Sequence, residues 1–170
     1  IDGYLTLFSP LNRRLYRTKI SVYGQEIYEF LSDLFKVRLE RHNISLVATE
    51  RFKDHFELGY PSTFYPTFVN LVDNAIYWLG KTYSTEKSIV LDIKNHSFSI
   101  SDNGPGIRNE IKDKIFDLGF STKENGRGMG LYIAQQSLKE LGYDLAVDSG
   151  STGTTFKIIK HDDENNDDGI

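Results

Sequence analysis

Apolar positions along the chain fall into blocks with two different periods. From about Thr18 to Arg41, Ile27, Phe30, Leu31, Leu34 and Val37 recur mostly at three- and four-residue steps with charges between them, which predicts a helix burying one stripe. His42-Asn43 ends it. The run ISLVATE that follows reads as a strand and leads into a polar connection closing at Gly59-Tyr60-Pro61. A second helix is predicted from Ser62 or Thr63, either able to cap it, through FYPTFVNLVDNAIYWL to Gly80, with Pro66 in an early turn where proline is tolerated. SIVLDI and the alternating HSFSIS then form a hairpin joined at Lys94-Asn95.

The stretch DNGPGIRNEIKDKIFDLGFSTKENGRGMG keeps little periodicity beyond one short helix around Ile111, Ile115 and Phe116, so it predicts a long mobile loop. GLYIAQQSLKELG is amphipathic through Leu131, Ala134, Leu138 and Leu141, with Gly142 as its stop, and DLAVDS and TTFKIIK are the last strands. Helices preceding and separating strand pairs predict an α+β two-layer sandwich, a mixed sheet packed on helices.

Composition narrows this picture. A chain of 170 residues with 39% hydrophobic content carries one ordinary domain, here divided into an N-terminal helical segment (1–45), a core domain (46–160) and an acidic, solvated tail (161–170). Twenty basic against 24 acidic residues, net charge -4, leave no general footprint for nucleic acid or an anionic membrane. The lack of cysteine excludes disulfides and thiolate metal sites. No apolar run approaches the ~20 residues that span a bilayer, and the start at Ile1 points to a piece of a longer protein. The expected location is cytoplasmic, in a parent that is free to be membrane-anchored.

Three motifs carry chemistry. Asp102-Asn103-Gly104-Pro105-Gly106-Ile107 puts a carboxylate at a strand end beside two glycines; it suits a hydrogen bond from the exocyclic amine of a base, or is an ordinary turn. Gly126-Arg127-Gly128-Met129-Gly130-Leu131, at a loop-helix junction, leaves backbone amides free for phosphate at a helix N-terminus, or is a flexible hinge. Asn70 and Asn74 share one helix face and offer neutral oxygens suited to Mg²⁺, or are satisfied structural amides. Ala75 to Thr82 ends in Gly-Lys-Thr but closes a helix with bulky residues, so it is no P-loop.

An Asn-bearing helix, Asp-x-Gly-x-Gly, a lid, Gly-x-Gly-x-Gly and a closing Gly-Thr in this order resemble the superfamily of gyrase, heat-shock chaperone, histidine kinase and mismatch-repair ATPases, over about Leu46 to Lys160. NLVDNA, IFDLGFSTK and GRGMGLYIA look most like the histidine kinases. The resemblance implies a Bergerat-type ATP-binding fold with a mobile lid. It implies that Asn74 coordinates Mg²⁺, that Asn70 supports metal or phosphates, and that Asp102 reads the adenine amine between Gly104, Gly106 and Ile107. Phe116 and Phe120 match the aromatic part of the lid. Lys123 and Arg127 would reach the phosphates, Gly126, Gly128, Met129, Gly130 and Leu131 would form the cradle, and Thr154 after Gly153 would join the adenine side. Trp78 falls where a ring stacks on the base, or is a core tryptophan.

Two departures stand out: Tyr77 replaces a basic residue three after the metal asparagine, and no acceptor box surrounds His42, His55, His96 or the tail's His161. Hydrolytic relatives carry a general-base glutamate where this chain has Asn70, which favours transfer over water attack. The resemblance thus implies a histidine kinase catalytic domain of two-component signalling. Its partners would be Mg-ATP, an acceptor histidine on another domain or chain and a response regulator, in a homodimeric parent. The alternative is an ATPase conformational switch without phosphotransfer.

Overall fold

A computed structural model describes residues 18–161; the expected tail 161–170 apart from His161, and the first 17 residues of the N-terminal segment, lie outside the described residues. The first described element is strand β1 (Ile20–Tyr23), antiparallel to β3 (Phe56–Gly59) with Tyr23 opposite Phe56. The helix read from Thr18 therefore starts only at Gly24, because Ile-Ser-Val-Tyr is β-branched and aromatic and finds a partner strand for its backbone. Helix α1 (Gly24–His42) ends on Asn43 in the left-handed region, φ 52°. Its buried stripe is Ile27, Leu31, Phe35 and Leu39, whereas Val37 is 65% exposed. Two residues beyond Phe35 the helix has turned about 200°, which puts Val37 on the far side.

The polar connection after β2 (Ile44–Ala48) is ordered. Thr49 caps a short helix α2 (Glu50–Asp54), its hydroxyl accepting from the Phe52 N–H at 3.2 Å, and β3 follows. Helix α3 (Pro61–Gly80) begins with proline at its first position, where the missing N–H is no loss, and Tyr60 rather than Ser62 or Thr63 is its cap residue. Strands β4 (Lys87–Lys94) and β5 (Ser97–Asp102) turn through Asn95-His96, with φ 51° and 58°, one residue later than the sequence suggested. Two left-handed residues in a two-residue loop match the twist of a hairpin.

The remaining elements are α4 (Asn109–Lys112), α5 (Gly130–Lys139), β6 (Tyr143–Gly150) and β7 (Gly153–Lys160). The five-stranded sheet runs β2-β4-β5-β7-β6, parallel at β2-β4 and antiparallel elsewhere, and packs on a helical layer as the α+β expectation required. Alternation assigns Ile89, Leu91, Phe98, Ile100, Phe156 and Ile158 to the helix-facing side and Ser99, Ser101 and Thr155 to the other. The stripe of α1 belongs to the same core. No helix among the described residues is long and apolar enough to cross a membrane.

One core position is poorly matched. Thr67 in α3 is 1% exposed and its hydroxyl bonds to no described residue. An unpaired buried hydroxyl costs roughly 1–3 kcal/mol. Thr67→Val keeps the β-branch and removes the oxygen, so urea unfolding should show a gain of about 1 kcal/mol at unchanged slope.

Candidate functional site

Strand β5 ends at Asp102 beside Thr154 of β7, and the chain then leaves the sheet for the long segment 103–129, whose only helix is the four-residue α4. That segment closes over α3 and returns at the N-terminus of α5, enclosing a cavity of about 780 Å³. Asn70, Asn74 and Trp78, one turn apart on α3, form its helical wall. Asp102, Gly106, Ile107 and Thr154 close one end; Phe120, Lys123, Gly126, Arg127, Gly128, Met129, Gly130 and Leu131 close the lid and helix-start side. Fifteen dispersed positions are thus brought to one cavity. Two are not: Gly104 is buried behind Asp102, and Phe116 packs its ring edge-on to Phe156, 6.4 Å between centroids.

At the strand end, Oδ1 of Asp102 accepts from the Gly104 N–H at 2.8 Å. Burial pushes the carboxyl above its ordinary value, and backbone N–H groups of Gly104 and Thr154 pull partly back. The turn is pinned by Ser149 of β6, a residue to which no motif pointed. Its Oγ accepts from the Ile107 N–H at 2.8 Å and donates to the Gly153 carbonyl at 3.1 Å, so at 2.9 Å the Thr154 hydroxyl is the donor. Only the cross-strand register, Ser149 opposite Thr154, could have disclosed it. Gly106 adopts φ 74°, and a Cβ there would stand 1.7 Å from the Gly150 carbonyl oxygen, so the turn requires glycine.

At the other end, Gly128 adopts φ 65° and lies so close to Gly119 and Phe120 that a Cβ would meet backbone at 2.3 Å. The Gly119 N–H bonds the Gly128 carbonyl at 2.9 Å, joining the two ends of the lid's last turn. Helix α5 starts from Met129 without a side-chain cap or an acidic first turn, so its first N–H groups are left for an anion. Asn70 faces this start: a Cβ on Gly130 would be 2.8 Å from its Oδ1. The side-chain amides of Asn70 and Asn74 are partly buried and bond to no described residue.

Asp73, also at the cavity, bonds Lys123 Nζ at 2.9 Å and Arg38 of α1. Burial works against its charge, but the two cations prevail and hold its carboxyl below the ordinary range. The four histidines lie apart from this site. His55 pairs with Glu57 at 3.1 Å and His161 with Asp144 at 2.6 Å, while His42 closes α1 and His96 occupies a turn.

A half-buried carboxylate at one end suits an amine donor; uncapped helix amides with nearby cations at the other suit a phosphate chain. The profile of the family described as histidine kinase-, DNA gyrase B- and HSP90-like ATPase matches residues 59–164. The sensor histidine kinase DcuS of Escherichia coli (strain K12) is 34% identical over 110 residues, covering 64% of this chain and 20% of DcuS. A probable C4-dicarboxylate sensor kinase of Halalkalibacterium halodurans is 36% identical over 95 residues, covering 52% of this chain and 18% of that protein. The chain thus spans about a fifth of the length of these relatives. Among solved structures, the mycobacterial sensor histidine kinase MprB superposes with TM-score 0.68 at 24% identity, over 84% of this chain and 97% of that one. The catalytic domain of histidine kinase ThkA gives 0.66 at 23%, over 84% and 95%.

Proposed function

The chain belongs to the family of histidine kinase-, DNA gyrase B- and HSP90-like ATPases, and from that premise we propose that it binds Mg-ATP and presents the γ-phosphate to a histidine on another domain or chain. The observation that carries this reading is the cavity itself, which gathers the strand-end carboxylate, the asparagine face and the glycine turn. Asp102 accepts a hydrogen bond from the adenine amine, and Trp78 and Ile107 flank the base. The amides opening α5, with Lys123 and Arg127, bind the triphosphate.

The donor set fits Mg²⁺. Asn70 and Asn74 both line the cavity with unengaged side-chain amides, Asn70 Oδ1 lying beside Gly130 at the start of α5, and a hard ion of this kind keeps waters and phosphate oxygens as its other ligands. Asn74, backed by Asn70, would hold it, and it would neutralise charge developing on the transferred phosphoryl group. Transfer rather than hydrolysis is favoured because the cavity offers water no free base. Position 70 is an amide, Asp73 has both carboxylate oxygens bound to cations, and Asp102 lies at the base end. The relatives named as sensor kinases support the same choice. The acceptor histidine, a response regulator and a dimeric parent follow as partners. Full-length protein given γ-labelled ATP is expected to yield an acid-labile phosphohistidine. Steady phosphate release without phosphoprotein would make the domain a conformational switch instead.

The raised pKa of Asp102 sets a pH dependence. A carboxyl shifted upward takes its proton at a higher pH than an ordinary aspartate, and its neutral form loses acceptor capacity. ATP affinity should therefore fall on acidification before the ordinary carboxylate range is reached. The gap between wild type and Asp102→Asn should narrow in parallel, as titration calorimetry across pH would show.

A further inference from the structure

Two residues of α3 hold the ammonium of Lys123. Asp73 Oδ2 accepts from Nζ at 2.9 Å, and the Tyr77 ring centroid lies 5.0 Å from the same nitrogen. The following lid residue is held too, since Tyr77 Oη accepts from the Glu124 N–H at 3.2 Å. The second carboxylate oxygen of Asp73 accepts from Arg38, so α1 braces the arrangement from behind. Asp73 and Tyr77 are one turn apart and each lies three residues beyond an asparagine of the cavity wall, 70 and 74.

We propose that Asp73 and Tyr77 are positioning residues that keep Lys123 poised at the phosphate end of the cavity, so that the lid supplies a positive charge that position 77 itself lacks. This rests on the Mg-ATP reading. An ammonium has three donors; Asp73 takes one, and two remain for phosphate oxygens. The Arg38, Asp73 and Lys123 side chains carry +2 against -1, which leaves the group attractive to an anion. A lysine already fixed against a ring and a carboxylate loses less rotamer freedom on meeting phosphate than a free one does. The geometry gives Tyr77 two separable contributions, the ring under Nζ and the hydroxyl on the Glu124 amide.

The test compares Mg-ATP with adenosine, which lacks phosphates, on the whole chain by NMR titration. Asp73→Asn should weaken ATP by about fivefold and leave adenosine unchanged, which also shows that the pocket is folded; Tyr77→Leu should weaken ATP by a similar factor beyond any change in adenosine, since the Tyr77 ring also meets Trp78 edge-on at 5.0 Å. Tyr77→Phe, which keeps the ring, should recover most of the Tyr77→Leu loss. In a Lys123→Met background neither change should weaken ATP further. Fully additive losses would overturn the proposal, as would tighter ATP binding by Asp73→Asn, which would mark the carboxylate as a competitor for the ammonium. Wild type that binds neither ligand would instead remove the nucleotide reading, and this inference with it.

Discussion

Phe98→Ala is expected to lower the free energy of unfolding by about 3–5 kcal/mol, read from urea denaturation. Phe98 lies in β5, the middle strand of the sheet, and is 1% exposed. Its ring meets four others at steep angles: His55 at 5.0 Å, Phe68 at 5.3 Å, Phe52 at 5.4 Å and Phe64 at 6.1 Å. These neighbours come from α2, α3 and the segment between α2 and β3, so the ring joins the helical layer to the sheet. Truncation removes the transfer energy of a whole ring and opens a cavity that stiff aromatic neighbours cannot refill. The edge-to-face attraction between Phe98 and its neighbouring rings disappears with it. A loss below about 1 kcal/mol would mean that the core collapses around the gap and that this cluster does not hold the layers together.

Asp102→Asn is expected to weaken Mg-ATP binding by about 1.5–3 kcal/mol, roughly tenfold to a hundredfold. The Gly104 N–H fixes one oxygen at 2.8 Å, and the asparagine carbonyl will take that place. The NH₂ group must then occupy the other position, where it presents a donor to the adenine amine, itself a donor. Stability should move the other way. The folded pKa of Asp102 is raised, so this carboxyl favours folding at pH below its unfolded value and that contribution is lost as pH rises through the folded one. At neutral pH the buried charge is unfavourable, and a neutral amide relieves it. A variant at least as stable as wild type with much weaker ATP binding separates recognition from folding; equal affinity would remove Asp102 from the base site.

What the residue pattern could disclose depended on how local the cause was. Asp102, Gly106 and Gly128 were readable because turns with left-handed backbone or close approach leave a glycine signature in a few consecutive residues. Asn70, Asn74 and Trp78 were readable because helical spacing alone puts them on one face. Lys123 appeared as a candidate charge, but its ties to Asp73, 50 positions away, and to the Tyr77 ring exist only after the lid folds across α3. Tyr77 therefore read as a missing cation. Ser149 was silent for the same reason, since its role comes from a strand register. Strands β1 and β3 were missed because four-residue segments gain their stability from each other rather than from their own pattern. Val37 lies on the opposite face from the buried stripe, because apolar character by itself does not fix which side of a helix turns inward.

In the proposed complex one cavity takes a whole nucleotide, base at the strand end and triphosphate at the glycine turn. Backbone amide shifts of the isotope-labelled chain, followed while a non-hydrolysable ATP analogue and Mg²⁺ are added, test it most directly. The largest changes are expected together at Asp102 to Ile107, at Asn70 to Trp78 and at Lys123 to Leu131, with little movement on the Ser99–Lys157 face of the sheet. Changes confined to one of the three segments, or centred elsewhere, would contradict it.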